Sequence, residues 1–233
     1  MAARSYGQYC GVTTAVELIG ERWALLIVRD LLVGPRRYTD LKQGLPRIPT
    51  NILSSRLTEL QDGGVVRRIP LRRGLAYELT PYGQALESVI LELGRWGFQT
   101  MGDPREGDVV TPDSLTMALR TAFRADAADD AEYELHVGEV ALRASVREGD
   151  LVVAQISPPA PPGPPADGRQ PEGEPDAVIV AGPGIRRLIG GEITPDEAIA
   201  QDVLAVVRGD VSHLESFART FHIAPLGAPV AMR

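Results

Sequence analysis

Apolar residues recur at helical spacing through the first sixty positions, alternate over the next fifteen, and return to helical spacing up to residue 97. Residues 13–20 and 22–33 read as two helices. In the second, Trp23, Leu26, Ile27, Asp30 and Leu31 share one face at a period of about 3.6, and Asp30 is its only polar member. Gly34-Pro35 ends that run. A short helix is predicted over 38–44, stopped by Gly44 and Pro46. The next, over 50–62, carries Ile52, Leu53, Leu57 and Leu60 on one stripe, and Thr50, Asn51, Ser54, Ser55, Thr58 and Glu59 largely on the other face. Gly63-Gly64 closes it, since glycine takes the left-handed conformation that follows a helix. Val65 to Ile69 and Leu75 to Thr80 then alternate as strands, joined by a basic tip, Pro70-Leu71-Arg72-Arg73-Gly74. Thr80-Pro81 predicts a cap and first-turn proline opening one helix with Leu86, Val89, Ile90, Leu93 and Trp96. Three helices, a hairpin and a closing helix follow the winged-helix order.

The pattern divides the chain into a winged helix-turn-helix domain over 1–100, a polar linker over 101–112, an α+β domain over 113–224 and a tail over 225–233. In the α+β domain, Thr111-Pro112 opens a helix to about Phe123, and 131–137, 139–147 and 150–157 have strand character. Eight prolines fall within 158–175, a composition that cannot pair in a sheet and predicts a stiff exposed loop. A strand resumes over 177–180. Two helices are expected after it, one from the capping box Thr194-Pro195-Asp196-Glu197 and one over 211–221.

Charge changes this picture. The chain has 233 residues and a net charge of -7, which would disfavour nucleic acid if it were evenly spread. It is not: residues 1–97 hold 13 Lys and Arg against 9 Asp and Glu, while the remainder holds 11 against 22. Within 35–73 nine basic residues face three acidic ones, a local field suited to an anionic partner. The single cysteine, Cys10, excludes an internal disulfide framework. No run of apolar residues is long enough for a membrane span, and the N-terminal stretch lacks a signal-peptide core, so a cytoplasmic protein without membrane association is expected.

The helix over 50–62 and the basic hairpin behind it form one constellation. Major-groove reading needs a narrow element with donors and acceptors near its leading end, and Thr50, Asn51, Ser54 and Ser55 supply them. Arg72 and Arg73 at the hairpin tip suit backbone phosphates or the adjacent minor groove, and Arg36, Arg37 and Lys42 suit flanking phosphates. Periodicity alone fits a solvated helix face as well as a DNA-reading one.

The segments GPRRYTDL at 34–41, LSSRLTELQDGG at 53–64 and YELTPYG at 77–83 resemble the HxlR-type winged helix-turn-helix family. With Cys10, Gly20, Trp23, Ile48 and Trp96-Gly97 they cover some ninety residues in the family's order. The resemblance implies a homodimer joined through its terminal helices, with two recognition helices in successive major grooves of a near-palindromic operator in double-stranded DNA. It places Ile52 and Leu57 in the core, Thr50, Asn51 and Ser54 at the bases, and Arg56 in support of the domain or on a phosphate. Pro49 departs from the serine many members carry there, which puts the helix start in question. Some members use the cysteine matching Cys10 as a redox or electrophile sensor; a lone thiol also serves as a small buried apolar group.

Beyond 113 no nucleophile, base or metal-ligand set converges. His136, His213 and His222 are the only histidines and have no ligand spacing, so neither an enzyme nor a metal or cofactor site is expected. The segment from about Leu115 to Ile223 resembles sterol-carrier-protein-like domains, in its strands around 133–156 and in the strand, helix, glycine, helix, Gly-Asp turn and final helix over 176–221. That resemblance implies an apolar cavity lined by Leu119, Phe123, Leu188, Ile189, Val203, Val207, Phe217 and Phe221, and with it a hydrophobic small-molecule effector. Each is also a natural core residue. The expected function is a sequence-specific transcriptional regulator responding to a hydrophobic ligand or stress signal. The alternative is a carrier of lipids or hydrophobic metabolites with a non-regulatory winged helix.

Overall fold

The computed structural model describes residues 5–71, 74–156 and 173–226. These divide into two compact units between Ile90 and Leu91. In the first, α1 (Gly11–Ile19), α2 (Arg22–Val33), α3 (Tyr38–Gly44) and α4 (Thr50–Asp62) precede a hairpin of β1 (Val66–Leu71) and β2 (Gly74–Leu79). Helix α2 is the hub: Ile27, Val28, Leu31 and Leu32 are buried with Leu41, Leu53, Leu57 and Leu60. Asp30, the polar member of that stripe, is fully buried and held by Arg29 at 2.6 Å, which supplies the counter-charge a buried carboxylate requires.

Beside the hairpin, Arg36 and Tyr77 exchange backbone hydrogen bonds of 2.9 and 2.8 Å, so β2 is bonded on both sides and β1 is the edge. That position tolerates Pro70, paired with Leu75 in the ladder, because its missing N–H is not needed on the outer side. The expected five-residue tip is corrected accordingly. Leu71 pairs with Gly74, only 72 and 73 intervene, and these two residues lie outside the described ones.

The single helix expected after Thr80 is two, α5 (Pro81–Gln84) and α6 (Glu87–Phe98). Thr80 caps α5 through Gly83 N and donates to Gly64 O at 2.6 Å. A Cβ on Gly83 would stand 2.2 Å from Val65 O, so the first turn is clamped against the base of the hairpin and the helix restarts beyond it.

The second unit begins within α6. Arg95 Nε donates to Thr121 O at 3.1 Å, and Phe98 packs on the same core as α7 (Pro112–Ala122). Strands β3 (Ala131–Val137), β4 (Val140–Arg147), β5 (Asp150–Gln155), β6 (Ala177–Ala181) and β7 (Leu204–Arg208) form one sheet in the order β5-β4-β3-β6-β7. Only the β3–β6 pairing is parallel. The side chains that alternate inward meet α7, α8 (Arg186–Ile189), α9 (Pro195–Ala200) and α10 (Val211–Thr220) in a continuous apolar core. The unit is α+β, with a five-stranded sheet. The helix expected from the Thr194 capping box is present and ends at Ala200; Asp202 then turns the chain with φ 53, and the β-branched run after it forms β7, a strand not expected between that helix and the Gly209-Asp210 turn. Within 158–175 only the last three residues are described, so the expected proline-rich loop lies almost wholly outside the described residues.

Candidate nucleic-acid interface

Helix α4 buries Leu53, Leu57 and Leu60 and exposes Thr50, Asn51, Ser54 and Thr58; Ile52, expected in the core, is only half-buried. Its N-cap is Pro49, in extended conformation, and no side chain caps the helix. The proline therefore leaves the start at Thr50 and leaves the leading amides without a side-chain acceptor. Two side chains set the helix against α3. Lys42, the only lysine in the sequence, donates Nζ to Ile48 O at 2.7 Å and Pro46 O at 3.4 Å, closing the turn. Tyr38 sends its hydroxyl to Thr50 O at 2.9 Å and lies 3.2 Å from Ser54 Oγ.

The candidate residues do not all share that surface. Thr50, Asn51 and Ser54 come together on the exposed face. Ser55 is half-buried, with its hydroxyl 3.4 Å from Glu59. Arg56 is ion-paired to Glu59 and lies 3.8 Å from Glu21, which makes it a brace between α4 and the start of α2. Arg36 is corrected: it is 3% exposed, with Nη1 bonded to Pro35 O at 3.0 Å, so it anchors the hairpin and presents no charge to a phosphate. Lys42 serves the turn first. Arg37 is half-buried with Nε unbonded, and its backbone N–H is taken by Asp40 at 2.8 Å. Arg72 and Arg73 lie outside the described residues. Three further groups were not singled out from sequence: Tyr38, the exposed Arg47 beside the turn, and Arg68, stacked over Tyr77 at 5.4 Å. Of these, the two arginines were findable in the count of basic residues over 35–73, but Tyr38 carried no signal of its own.

Cys10 is the N-cap residue of α1 and is exposed, which removes the reading of it as a buried apolar group. The backbone N–H of Thr13, then that of Val12, stabilise the thiolate and lower its pKa.

In the second unit, Leu119, Leu188, Ile189, Phe217 and Phe221 converge on one core, with Phe123 and Val203 partly buried at its margin. Phe217 and Phe221 lie 4.8 Å apart, and Tyr133 packs edge-on to both at 5.4 and 6.0 Å. Val207 is corrected: it is 68% exposed on β7, and Val206 takes the inward position opposite Ile179. Burial raises the pKa of Tyr133, whose hydroxyl donates to Ser216 at 3.1 Å. Among the described residues no group of His, Cys, Asp and Glu is arranged to hold a metal. No helix among them is long and apolar enough to cross a membrane.

A helical core, a helix with an exposed polar leading end and a two-stranded wing define a winged helix-turn-helix protein. The profile of the HxlR-like helix-turn-helix family matches residues 18–104, and the chain belongs to that family, a non-enzymatic class of transcriptional regulators. It is 38% identical over 87 residues to the HTH-type transcriptional regulator YvaP of Bacillus subtilis, an alignment spanning 35% of this chain and 79% of that protein. A second relative, the HTH-type transcriptional regulator Mb3122 of Mycobacterium bovis, is 36% identical over 131 residues, covering 55% of this chain and 77% of the relative. Among solved structures, the reduced form of YodB from Bacillus subtilis is 33% identical, with a TM-score of 0.36 and coverage of 41% of this chain and all of that one.

Proposed function

We propose that this chain is a cytoplasmic, homodimeric transcriptional regulator that reads duplex DNA with α4 in the major groove. The observation that carries the reading is α4 itself: aliphatic residues hold its back, while Thr50, Asn51 and Ser54 stand exposed at an uncapped leading end. Anions favour such an end, and short polar side chains suit base edges. Asn51 and Ser54 read bases, while Arg37, Arg47, Arg68, Arg72 and Arg73 supply phosphate contacts. Dimerisation uses the apolar surface left open on the terminal helices: Val12 and Val16 on α1, and Val89, Leu93 and Trp96 along one side of α6. Two recognition helices held about 34 Å apart then meet successive major grooves of a near-palindromic site.

The second unit is proposed to be a sterol-carrier-like sensor for a hydrophobic effector. Its sheet covered by short helices, with an aromatic interior, supports that reading. The rings of Tyr133, Phe217 and Phe221 fill the space expected for the ligand, so an effector acts by displacing them. Only a ligand that prefers one dimer geometry shifts the DNA-binding equilibrium.

The deciding experiment is a gel shift with duplex from upstream of the protein's own gene, titrated with salt. A discrete complex that weakens steeply with salt is expected. Absence of any specific complex, with apolar molecules retained in native mass spectra, overturns the regulator in favour of a carrier.

A further inference from the structure

We infer that β7 is an interface between copies of this chain, pairing antiparallel with the same strand of a second copy so that two sheets become one. The inference goes beyond the α1 and α6 surface of the homodimer proposed above, since it places a second contact on the sheet.

Strand β7 stands last in the sheet order and pairs with β6. The phase of that pairing fixes where its backbone groups point. Gly182 N–H donates to Val203 O at 3.3 Å, and hydrogen-bonded pairs alternate along an antiparallel ladder. Val180 and Ala205 are therefore the next pair to exchange bonds, while Leu204 and Val206 turn their N–H and C=O to the outer edge. Among the described residues no backbone bond reaches those outward groups. Edge strands are commonly blunted by proline or charge. The hairpin edge β1 carries Arg67, Arg68 and Pro70, whereas Leu204-Ala205-Val206-Val207 has neither. The side chains on the open face beside it are apolar too: Val180 is 43% exposed, and Ala205 and Val207 are exposed.

The strand fits itself. Asp202, with φ 53, turns the chain before it. After it the register jumps from Val206 to Arg208, leaving Val207 as the extra residue of a bulge. The regular edge thus offers the outward groups of Leu204 and Val206. A second copy satisfies all of them in one register, with Leu204 of each facing Val206 of the other and Ala205 on the two-fold axis. An axis through Leu204 sets Val206 against the turn at Asp202, and one through Val206 sets Leu204 beyond the bulge. Charge agrees with the register that remains. Arg208, just past one end of the pairing, falls beside Asp202 at the end of the second copy. Arg208 is half-exposed and meets Glu174 of its own chain, so Asp202 brings a second carboxylate to the same guanidinium.

The test uses the full-length chain with Cys10→Ser, so that an introduced cysteine is its only thiol. Residues facing each other in a non-hydrogen-bonded pair have Cα atoms about 4.5 Å apart, within reach of a disulfide. With copper phenanthroline as oxidant, Ala205→Cys is expected to give a covalent dimer at least about tenfold faster than Val207→Cys or Val180→Cys, which are exposed but off the axis. Amide exchange followed by NMR gives a second readout without a thiol. Ala205→Asp sets two carboxylates against each other on the axis. Leu204 and Val206 amides are expected to exchange at least about tenfold faster in that variant than in the wild type, while Val180, bonded within the chain, keeps its protection. Equal cross-linking at the three positions overturns the inference, as do Leu204 and Val206 amides that exchange as freely in the wild type as in Ala205→Asp. Either result in a chain that sediments as a dimer leaves the α1 and α6 contact standing. A chain that sediments as a monomer overturns both.

Discussion

Helices α4 and α10 are built alike and finished differently. Each buries an aliphatic or aromatic stripe, Leu53, Leu57 and Leu60 in one, Leu214 and Phe217 in the other. At the N-terminus of α10, Asp210 accepts from the backbone of Ser212 and His213, while hydrogen bonds from the side chain of Ser212, then that of His213, do most to hold its own pKa down. Helices α7 and α9 are likewise closed, by Thr111 and Thr194. At α4 the corresponding residue is Pro49, which accepts nothing through a side chain. The second unit thus caps α7, α9 and α10 with its own side chains, and the 136 residues after Gly97 hold 22 Asp and Glu against 11 Lys and Arg. In the first unit the starts of α1, α2 and α4 all lack a side-chain cap, and residues 1–97 hold 13 Lys and Arg against 9 Asp and Glu. An open helix end is less stable than a capped one, and on the proposed reading a phosphate completes the end of α4.

The strongest way to break the comparison is to destroy one unit and follow the other. Phe217 is fully buried among Tyr133 and Phe221, so Phe217→Asp leaves a cavity and an unpaired charge, and is expected to cost at least about 4 kcal/mol. Circular dichroism and urea titration should show loss of the second unit's transition, with a DNA complex retained. Loss of DNA binding in step would show that the two units are energetically one. This substitution is cleaner than truncation, since Arg95 and Phe98 of α6 bond to or pack on the second unit and removing it strips half of that helix.

Next in size is the wing. Arg72→Glu with Arg73→Glu should weaken binding to every duplex by about tenfold or more at moderate salt and reduce the salt slope by about 2. Affinity for unrelated sequences measured by fluorescence anisotropy checks it. An unchanged slope places the hairpin tip away from the phosphates.

The open helix end itself is tested at Pro49. Pro49→Asp supplies the cap that α10 has and is expected to stabilise the first unit by about 1 kcal/mol, while lowering DNA affinity by placing a negative charge where a phosphate would lie. Pro49→Ser gives the cap without the charge, so stability should rise with little change in affinity. Denaturant midpoints and gel shifts on both variants separate capping from charge. A gain in affinity for Pro49→Asp contradicts the proposed orientation of α4.

The two units also differed in how far they could be read in advance. Helices α2, α3 and α4 follow from aliphatic spacing punctuated by Gly34-Pro35, Gly44 and Gly63-Gly64, because local stop signals and a core-facing stripe agree there. The break between α5 and α6 does not follow, since it depends on how closely Gly83 approaches Val65, a contact between segments. The same holds for Arg36, whose burial comes from pairing with Tyr77, and for Tyr38, whose role appears only when α3 and α4 are set side by side. In the second unit, residues 195–208 fit a helix in outline, and only the turn at Asp202 and the neighbouring β6 make their second half a strand. Val207, placed at the cavity only through the sterol-carrier-like resemblance, is sent outward by the strand alternation of β7.

The smallest effect expected concerns Cys10, the N-cap residue of α1. The thiolate is the reactive form of cysteine, and the N–H of Thr13 is the largest influence favouring it. A lowered pKa means more thiolate at any given pH, so the iodoacetamide alkylation rate should rise to its plateau with a midpoint below that of a free thiol, about 8.5. Thr13 is the third residue of α1, a position whose N–H has no partner within the helix, so proline there removes that N–H without breaking a helical hydrogen bond. Thr13→Pro should therefore move the midpoint upward and slow alkylation at neutral pH. Thr13→Val removes only the weaker hydroxyl contact and should move it less. If both variants react at the wild-type rate across the pH range, the helix end does not control the thiol. If the order holds and alkylation also changes the affinity for operator DNA, the thiol at the start of α1 is coupled to the proposed DNA-reading surface of α4.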